Sequence, residues 1–441
     1  MAAITEITTL SWLDRIKQAI VGVAIGLLLF AVSFPVLFIN EGRAVKTAKS
    51  LAEGRGAVIS IDAGTVDPAN DGQLVHVTGM AETHDVLTDD IFGVTTEGLS
   101  LIRTVEMFQW EEHSETKTKK KLGGGEEQVT TYSYSKSWSP NVIDSSSFKE
   151  TQTPANPSTL PFENTTAIAG NVSLGAFALN AQQVNRITGE QPVKLTSSDM
   201  AALPANLKRT TVIHDGQFYY RPQLEAAKPA ASVGVVDGNG VNDVDSPASV
   251  STSDATSLAA PDSVDLTAAL PPVSSTAIGD VRVSFSYIPE GPVSVIAAQQ
   301  SDRFTGYQTQ VGRTLDMLSM GEMTADAMFG AAESGNRVLT WILRAVGAFL
   351  MFLGIVLVLR PLSVMGDVLP IIGSIIGFGT SIIAAVVTFS LSLTTIAIAW
   401  VFYRPLIGIP LLVVAVGSLV FMFTRKKPAP APEGMVNPGA E

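Results

Sequence analysis

Four stretches of this chain run almost without charge for long enough to cross a bilayer, and no other feature constrains the fold as tightly. Ala19–Ile39, "AIVGVAIGLLLFAVSFPVLFI", holds 21 residues with no charge. Val338–Leu359 carries one, Arg344. Val368–Phe402 has none in 35 residues, and Pro405–Phe423 is a fourth run. A hydrocarbon core of about 30 Å takes about 20 helical residues to cross. Only closed hydrogen bonding within the segment is tolerated there, so each run is read as a helix. The third run would measure about 52 Å as a straight helix. It is read as one tilted helix with an interfacial start, the alternative being two half-helices broken near "GSIIGFGTS". The first run is too long for a signal-peptide core and lacks an A-x-A-like site, so it is read as a retained anchor.

Four spans put both chain ends on one side. Arg15 and Lys17 precede the first span, and Arg425, Lys426 and Lys427 follow the last. The excess of basic residues makes that side cytoplasmic. Arg43, Lys46, Lys49 and Arg55, just beyond the first span, argue the other way. The 298 residues between the first and second spans resolve the conflict, because long domains translocate largely regardless of charge. The expected fold is therefore an α+β membrane protein: four transmembrane helices with a large β-rich extracytoplasmic domain between the first and second. Its parts are a cytoplasmic N-terminus (1–18), a span (19–39), the first part of the domain (40–222), a low-complexity insertion (223–277), the second part (278–337), spans at 338–359, 368–402 and 405–423, and a cytoplasmic tail (424–441).

The segment "FINEGRAVKTAKSLAEG", residues 38–54, leaves the first span without a turn signal. Its Ala, Leu, Lys and Glu content predicts that the helix continues until Gly54 and Gly56 end it. Strand signals follow. Gln73–Gly79 alternates. "TVEMFQWEEHSETKTKKK", the turn "LGGGEE" and "QVTTYSYSKSW" read as a long β-hairpin. Lys117–Lys121 falls at its tip, opposite Glu126 and Glu127, as a solvated tip paired with its own acidic return. Gly216–Pro222 reads as a short strand. In Gly279–Gln299, Val281, Val283, Phe285 and Tyr287 face one way and Arg282, Ser284 and Ser286 the other. Thr314–Asn336 reads as an amphipathic, methionine-rich helix leading into the second span. Residues 223–277 collapse to Ala, Ser, Val, Asp and Pro without periodicity.

Chemistry is hard to find. There is no cysteine, which removes disulfides and thiolate chemistry. A net charge of −12 argues against a nucleic-acid partner. His76, His84, His113 and His214 are scattered and fit no zinc spacing. Asp237, Asn239, Asp243 and Asp245 suggest a calcium loop, but Val241 and Asn242 stand where an EF-hand needs a ligand and Gly. Asn164 and Asn171 are glycosylation sequons, meaningful only in a glycosylating lumen. No acid–base pair, phosphate loop or nucleophile elbow appears, so no catalytic, cofactor or metal residue is assigned and no enzyme is expected. Gly22–Gly26 and Gly373–Gly377 are G-x-x-x-G motifs, which let helix backbones approach closely. Arg344 either snorkels to the interface or lines a polar path. Arg404 is an interfacial anchor beside Trp400 and Tyr403.

"NEGRAVKTAKSLAEG" (Asn40–Gly54), "VEMFQWEE" (Val105–Glu112), "YSYSKSW" (Tyr132–Trp138), "GDVRVSFSY" (Gly279–Tyr287) and "WVFYRPL" (Trp400–Leu406) together resemble the LUMA family, also called transmembrane protein forty-three. The resemblance implies four spans and a lumenal or, in bacteria, periplasmic domain. It also implies a membrane-organising scaffold that self-associates, has no established catalytic residues and needs no cofactor. Eukaryotic relatives sit in the endoplasmic reticulum and inner nuclear membrane and bind lamins and emerin. The alanine- and aspartate-rich makeup points to a bacterial source, in which case the inner membrane is the expected location and lamin- and emerin-type partners are absent. The expected partners are then a second copy of the chain, other membrane proteins and the lipid bilayer. The rival expectation is an ion channel or membrane-permeability subunit using Arg344 and a face of Ser390, Ser392, Thr394 and Thr395.

Overall fold

A computed structural model describes residues 4–150, 155–222, 276–368, 370–410 and 412–414. Three helices in it are long and apolar enough to span a membrane. The first, α1 (Trp12–Ala57), starts where the Ser11 side chain accepts the Asp14 backbone N–H, and it tolerates Pro35. The second, α2 (Ala325–Gly366), is capped by Thr324. The third, α3 (Pro370–Tyr403), is one continuous helix with no break at "GSIIGFGTS". Part of the fourth run forms a short apolar helix, Pro405–Val414, and the rest of that run lies outside the described residues. So does the calcium-loop candidate at Asp237–Asp245, with most of the 223–277 insertion.

The main strands are β1 (Ile4–Leu10), β2 (Leu74–Thr83), β3 (Ser100–Lys120), β4 (Glu126–Ser139), β5 (Thr211–His214), β6 (Gln217–Tyr220), β7 (Val281–Ile288), β8 (Gly291–Gln300), β9 (Arg303–Thr305) and β10 (Met317–Met320). The chain divides into two compact units. One comprises Met1–Ile4, Met80–Ser114 and Tyr132–Pro292. Its sheet runs β5-β6-β7-β3-β4, with Val281 paired to Met107 and Ile288 to Ser100 along the antiparallel β7–β3 ladder. Val281, Val283 and Phe285 are buried as the alternation predicts, while Tyr287 is only half-buried. The core is aromatic: Phe92 stacks on Phe218 with centroids 5.4 Å apart and meets Phe162 and Phe285 edge-on. Such offset and edge-to-face pairs add to the area each ring buries. Beside them the buried Arg103–Asp89 ion pair is completed by the Glu163 carbonyl and the Thr165 hydroxyl, which satisfies a charge that apolar surroundings would otherwise penalise.

The second unit comprises Thr5–Gly79, Glu115–Thr131 and Val293–Glu441. It holds the long helices, the outer part of the β3–β4 hairpin and strands of a seven-stranded sheet. Leu51 of α1, Leu74, Ile296, Leu315, and Met328 and Phe329 of α2 form one core cluster. The helix ends at Ala57, beside Gly56 as expected, and Gly54 also serves close packing. A Cβ there would lie 2.5 Å from Leu315 and 3.0 Å from Phe329. One expectation changes here: Thr314–Asn336 is not one helix. Thr314–Leu315 and Met317–Met320 are strands, and helix begins only at Ala325. The edge of β8 wins Met317–Met320, pairing Val293 with Met320 through Ile296 with Met317. Gly321 at φ +81° then turns the chain to the Thr324 cap. Apolar residues at both helical and alternate spacing let sheet pairing override propensity.

Candidate functional site

Two polar knots bind α1 to α2, one at each end of their apolar segments. The first grows from the residues that leave the first span. Glu41 is fully buried and takes a bidentate ion pair from Arg344, with Nε at 2.6 Å and Nη2 at 2.9 Å. The Trp400 indole N–H donates to the same carboxylate at 2.8 Å. One side chain from α1 thus gathers partners from α2 and α3. Asn40 donates to the Thr340 carbonyl, and Arg43 donates to Thr340 Oγ1 and Asn336 Oδ1, all at 3.0 Å. Asn336 returns a bond to the Ala44 carbonyl. At Gly42 a Cβ would fall 2.6 Å from the Tyr403 ring, so only glycine admits that ring. Arg344 also lies 4.8 Å above the Trp341 ring, a cation–π contact.

The second knot lies at the other end. Arg15 pairs with Asp367 at 2.5 Å and with Glu126 at 2.7 Å, and donates to the Gly124 carbonyl. Lys120 reaches the other Asp367 oxygen at 2.7 Å. The Trp12 indole donates to the Val364 carbonyl, and the Gly123 N–H to that of Val368. Burial pushes the Asp367 carboxyl up, but the hydrogen bonds and charges of Lys120 and Arg15 outweigh it and hold the group below its ordinary value. Arg15 and Glu41 are separated by about 39 Å of helix, so the knots bracket a hydrocarbon core of about 30 Å.

Between the knots the helices touch backbone to backbone. A Cβ on Gly26 would sit 2.7 Å from the Gly354 carbonyl oxygen, and one on Gly354 would sit 2.8 Å from that of Gly26. Gly377 of the second G-x-x-x-G motif faces Ser363. The first motif thus packs this chain against itself. A cavity of about 380 Å³ opens beside the Glu41 knot, lined mainly by Arg337, Trp341, Arg344, Trp400 and Arg404.

The candidates from sequence fare unevenly. Arg344 is engaged by Glu41 and lines the cavity beside the knot. Ser390, Ser392, Thr394 and Thr395 do not share a face. Ser392 and Thr395 are buried, Ser392 against the Met351 sulfur, while Ser390 and Thr394 point outward. The hydroxyls of Thr394 and Thr395 bond back to their own helix. The basic tip does pair with its acidic return, Lys121 with Glu127 at 2.5 Å, but Lys120 and Glu126 turn to the Arg15 knot. The hairpin tip therefore shares the end of α1 that carries Arg15, whereas the sequence reading places the two on opposite sides. Among the described residues no cluster of His, Asp or Glu could hold a metal ion. Sequence reading misses Glu41. A lone Arg in one span calls for a carboxylate at matching depth, and Glu41 escapes notice because it stands two residues outside the first apolar run.

The Glu41 knot joins "NEG" (Asn40–Gly42) to "WVFYRPL" (Trp400–Leu406), the first and last blocks of the resemblance. Residues 107–405 match the family model described as Transmembrane protein 43. The chain is 31% identical over 425 residues to Transmembrane protein 43 of Rattus norvegicus, covering 94% of this chain and 92% of that one. Against the Homo sapiens protein of the same name the identity is 30% over 406 residues, covering 90% and 88%. A Drosophila melanogaster homolog matches at 25% over 417 residues, covering 91% and 93%. No solved structure matches. With more than half its length under one family model and relatives at this identity across nearly the whole sequence, the chain belongs to the transmembrane protein 43 family.

Proposed function

We propose that this protein is a non-catalytic, multi-pass membrane scaffold that self-associates and organises other membrane proteins through its β-rich part. Its location on this reading is the endoplasmic reticulum and inner nuclear membrane, or the inner membrane of a bacterium. The observation that carries it is the Gly26–Gly354 contact between two knots built on the Arg15–Asp367 and Arg344–Glu41 ion pairs. A bundle welded in this way suits an anchor that holds a domain in fixed register with the membrane. The channel alternative draws no support from Arg344, which is engaged by Glu41, or from the hydroxyls of α3, which are divided between the inside and the outside of the bundle. Because the Gly22–Gly26 motif packs internally, self-association on this reading uses other surfaces. Light scattering of the detergent-solubilised full chain tests it: a multiple of the chain mass is expected, and a clean monomer at micromolar concentration overturns the self-associating scaffold.

A further inference from the structure

The cavity beside the Glu41 knot has a charge balance that the knot does not use. Its wall carries three arginines, Arg337, Arg344 and Arg404, and one carboxylate, Glu333. Glu333 is taken by Arg55 at 3.2 Å, and Arg344 is neutralised by Glu41. Arg337 and Arg404 have no ion-pair partner among the described residues, so two uncompensated guanidinium groups face one cavity. The remaining wall is formed by Ala44, Ala48, Asn336, Thr340 and the indoles of Trp341 and Trp400, which are its largest surfaces.

Depth decides what such a cavity meets. It lies where the apolar segments of α2 and α3 end, the level at which tryptophan anchors gather and phospholipid phosphates lie. Guanidinium forks match the paired oxygens of a phosphodiester, and they bind it more strongly where bulk water is partly excluded. We propose that this cavity holds the headgroup of an anionic glycerophospholipid, with Arg337 and Arg404 on its phosphate and the indoles of Trp341 and Trp400 beneath. Arg344 shapes the wall, fixed by its two bonds to Glu41, and brings no net charge of its own. A zwitterionic lipid would carry its ammonium towards the same two cations, and that repulsion sets the preference. The assignment is independent of the scaffold reading, since a monomer carries the whole cavity.

The test is native mass spectrometry of the full-length protein in detergent, titrated with phosphatidylglycerol or with phosphatidylcholine of identical chains. A preference for phosphatidylglycerol of at least about tenfold is expected, equivalent to one good charge-assisted contact. The double variant Arg337→Gln/Arg404→Gln loses that preference. Lys17→Gln, an exposed cation at the other end of α1, keeps it. Arg337 is itself exposed, so Arg337→Gln alone carries the test if the double variant loses its helical circular dichroism. Equal binding of the two lipids overturns the proposal, as does a preference that survives in the arginine variants. If glycerol 3-phosphate displaces the lipid at equal concentration, the cavity recognises free phosphate and the lipid assignment falls.

Discussion

Replacing Arg344 with methionine strands Glu41. The carboxylate is fully buried, and of its three bonds only the one from Trp400 remains. Removing one partner of a buried ion pair typically costs about 3–5 kcal/mol, because the remaining charge stays desolvated. The surviving indole bond and the partly exposed position of Arg344 place the expected loss near the lower end, about 3 kcal/mol. At about 2 °C per kcal/mol for a chain of this size, the midpoint of thermal unfolding in detergent falls by about 6 °C. Intrinsic tryptophan fluorescence is a suitable readout, since Trp341 and Trp400 flank the site. Adding Glu41→Gln to Arg344→Met removes the stranded charge and should recover all but about 1 kcal/mol. A single variant within about 2 °C of the parent, or a double variant no more stable than the single, refutes the claim that charge pairing holds the three helices here.

Three further outcomes follow from the same packing. Gly26→Leu forces side-chain atoms into the Gly354 backbone and should cost about 1–3 kcal/mol, whereas Gly56→Ala, with open space around it, should be neutral or slightly stabilising in the same melt. The folded Asp367 carboxyl titrates below its ordinary value of 3.8, so its contribution is fully present above that value and is lost as pH falls through the depressed one. An acid titration of stability should therefore show a shallower loss below about pH 4 in Asp367→Asn than in the parent. The chain has no cysteine, so single-cysteine variants label without background. Lys17→Cys and Lys117→Cys should react with a membrane-impermeant maleimide from the same side of sealed vesicles, and labelling from opposite sides would contradict the Arg15 knot.

The helices are legible because an uncharged run of twenty residues has few other fates, and the hairpin because β-branched and aromatic runs flank a glycine turn. Thr314–Met320 misleads because Leu315, Met317, Leu318 and Met320 fit both periods, and only the open edge of β8 decides for the last four of these residues. The knots are invisible for a different reason. Glu41 and Arg344 stand 303 residues apart and Arg15 and Asp367 stand 352 apart, so no local pattern couples them. The G-x-x-x-G signal at Gly22–Gly26 reports close helix packing correctly, but it does not say that the partner lies in the same chain.

Those separations also impose an order on synthesis. When α1 leaves the ribosome, Glu41 and Arg15 have no partners, and at about 5–20 residues per second Glu41 waits roughly 15–60 s for Arg344 of α2. The nascent anchor bears this because both groups sit at the ends of its apolar run, where water reaches them until the later helices arrive. A chain truncated before Arg344 would keep an unanswered carboxylate at the membrane boundary, a chemical mark by which unfinished copies differ from complete ones.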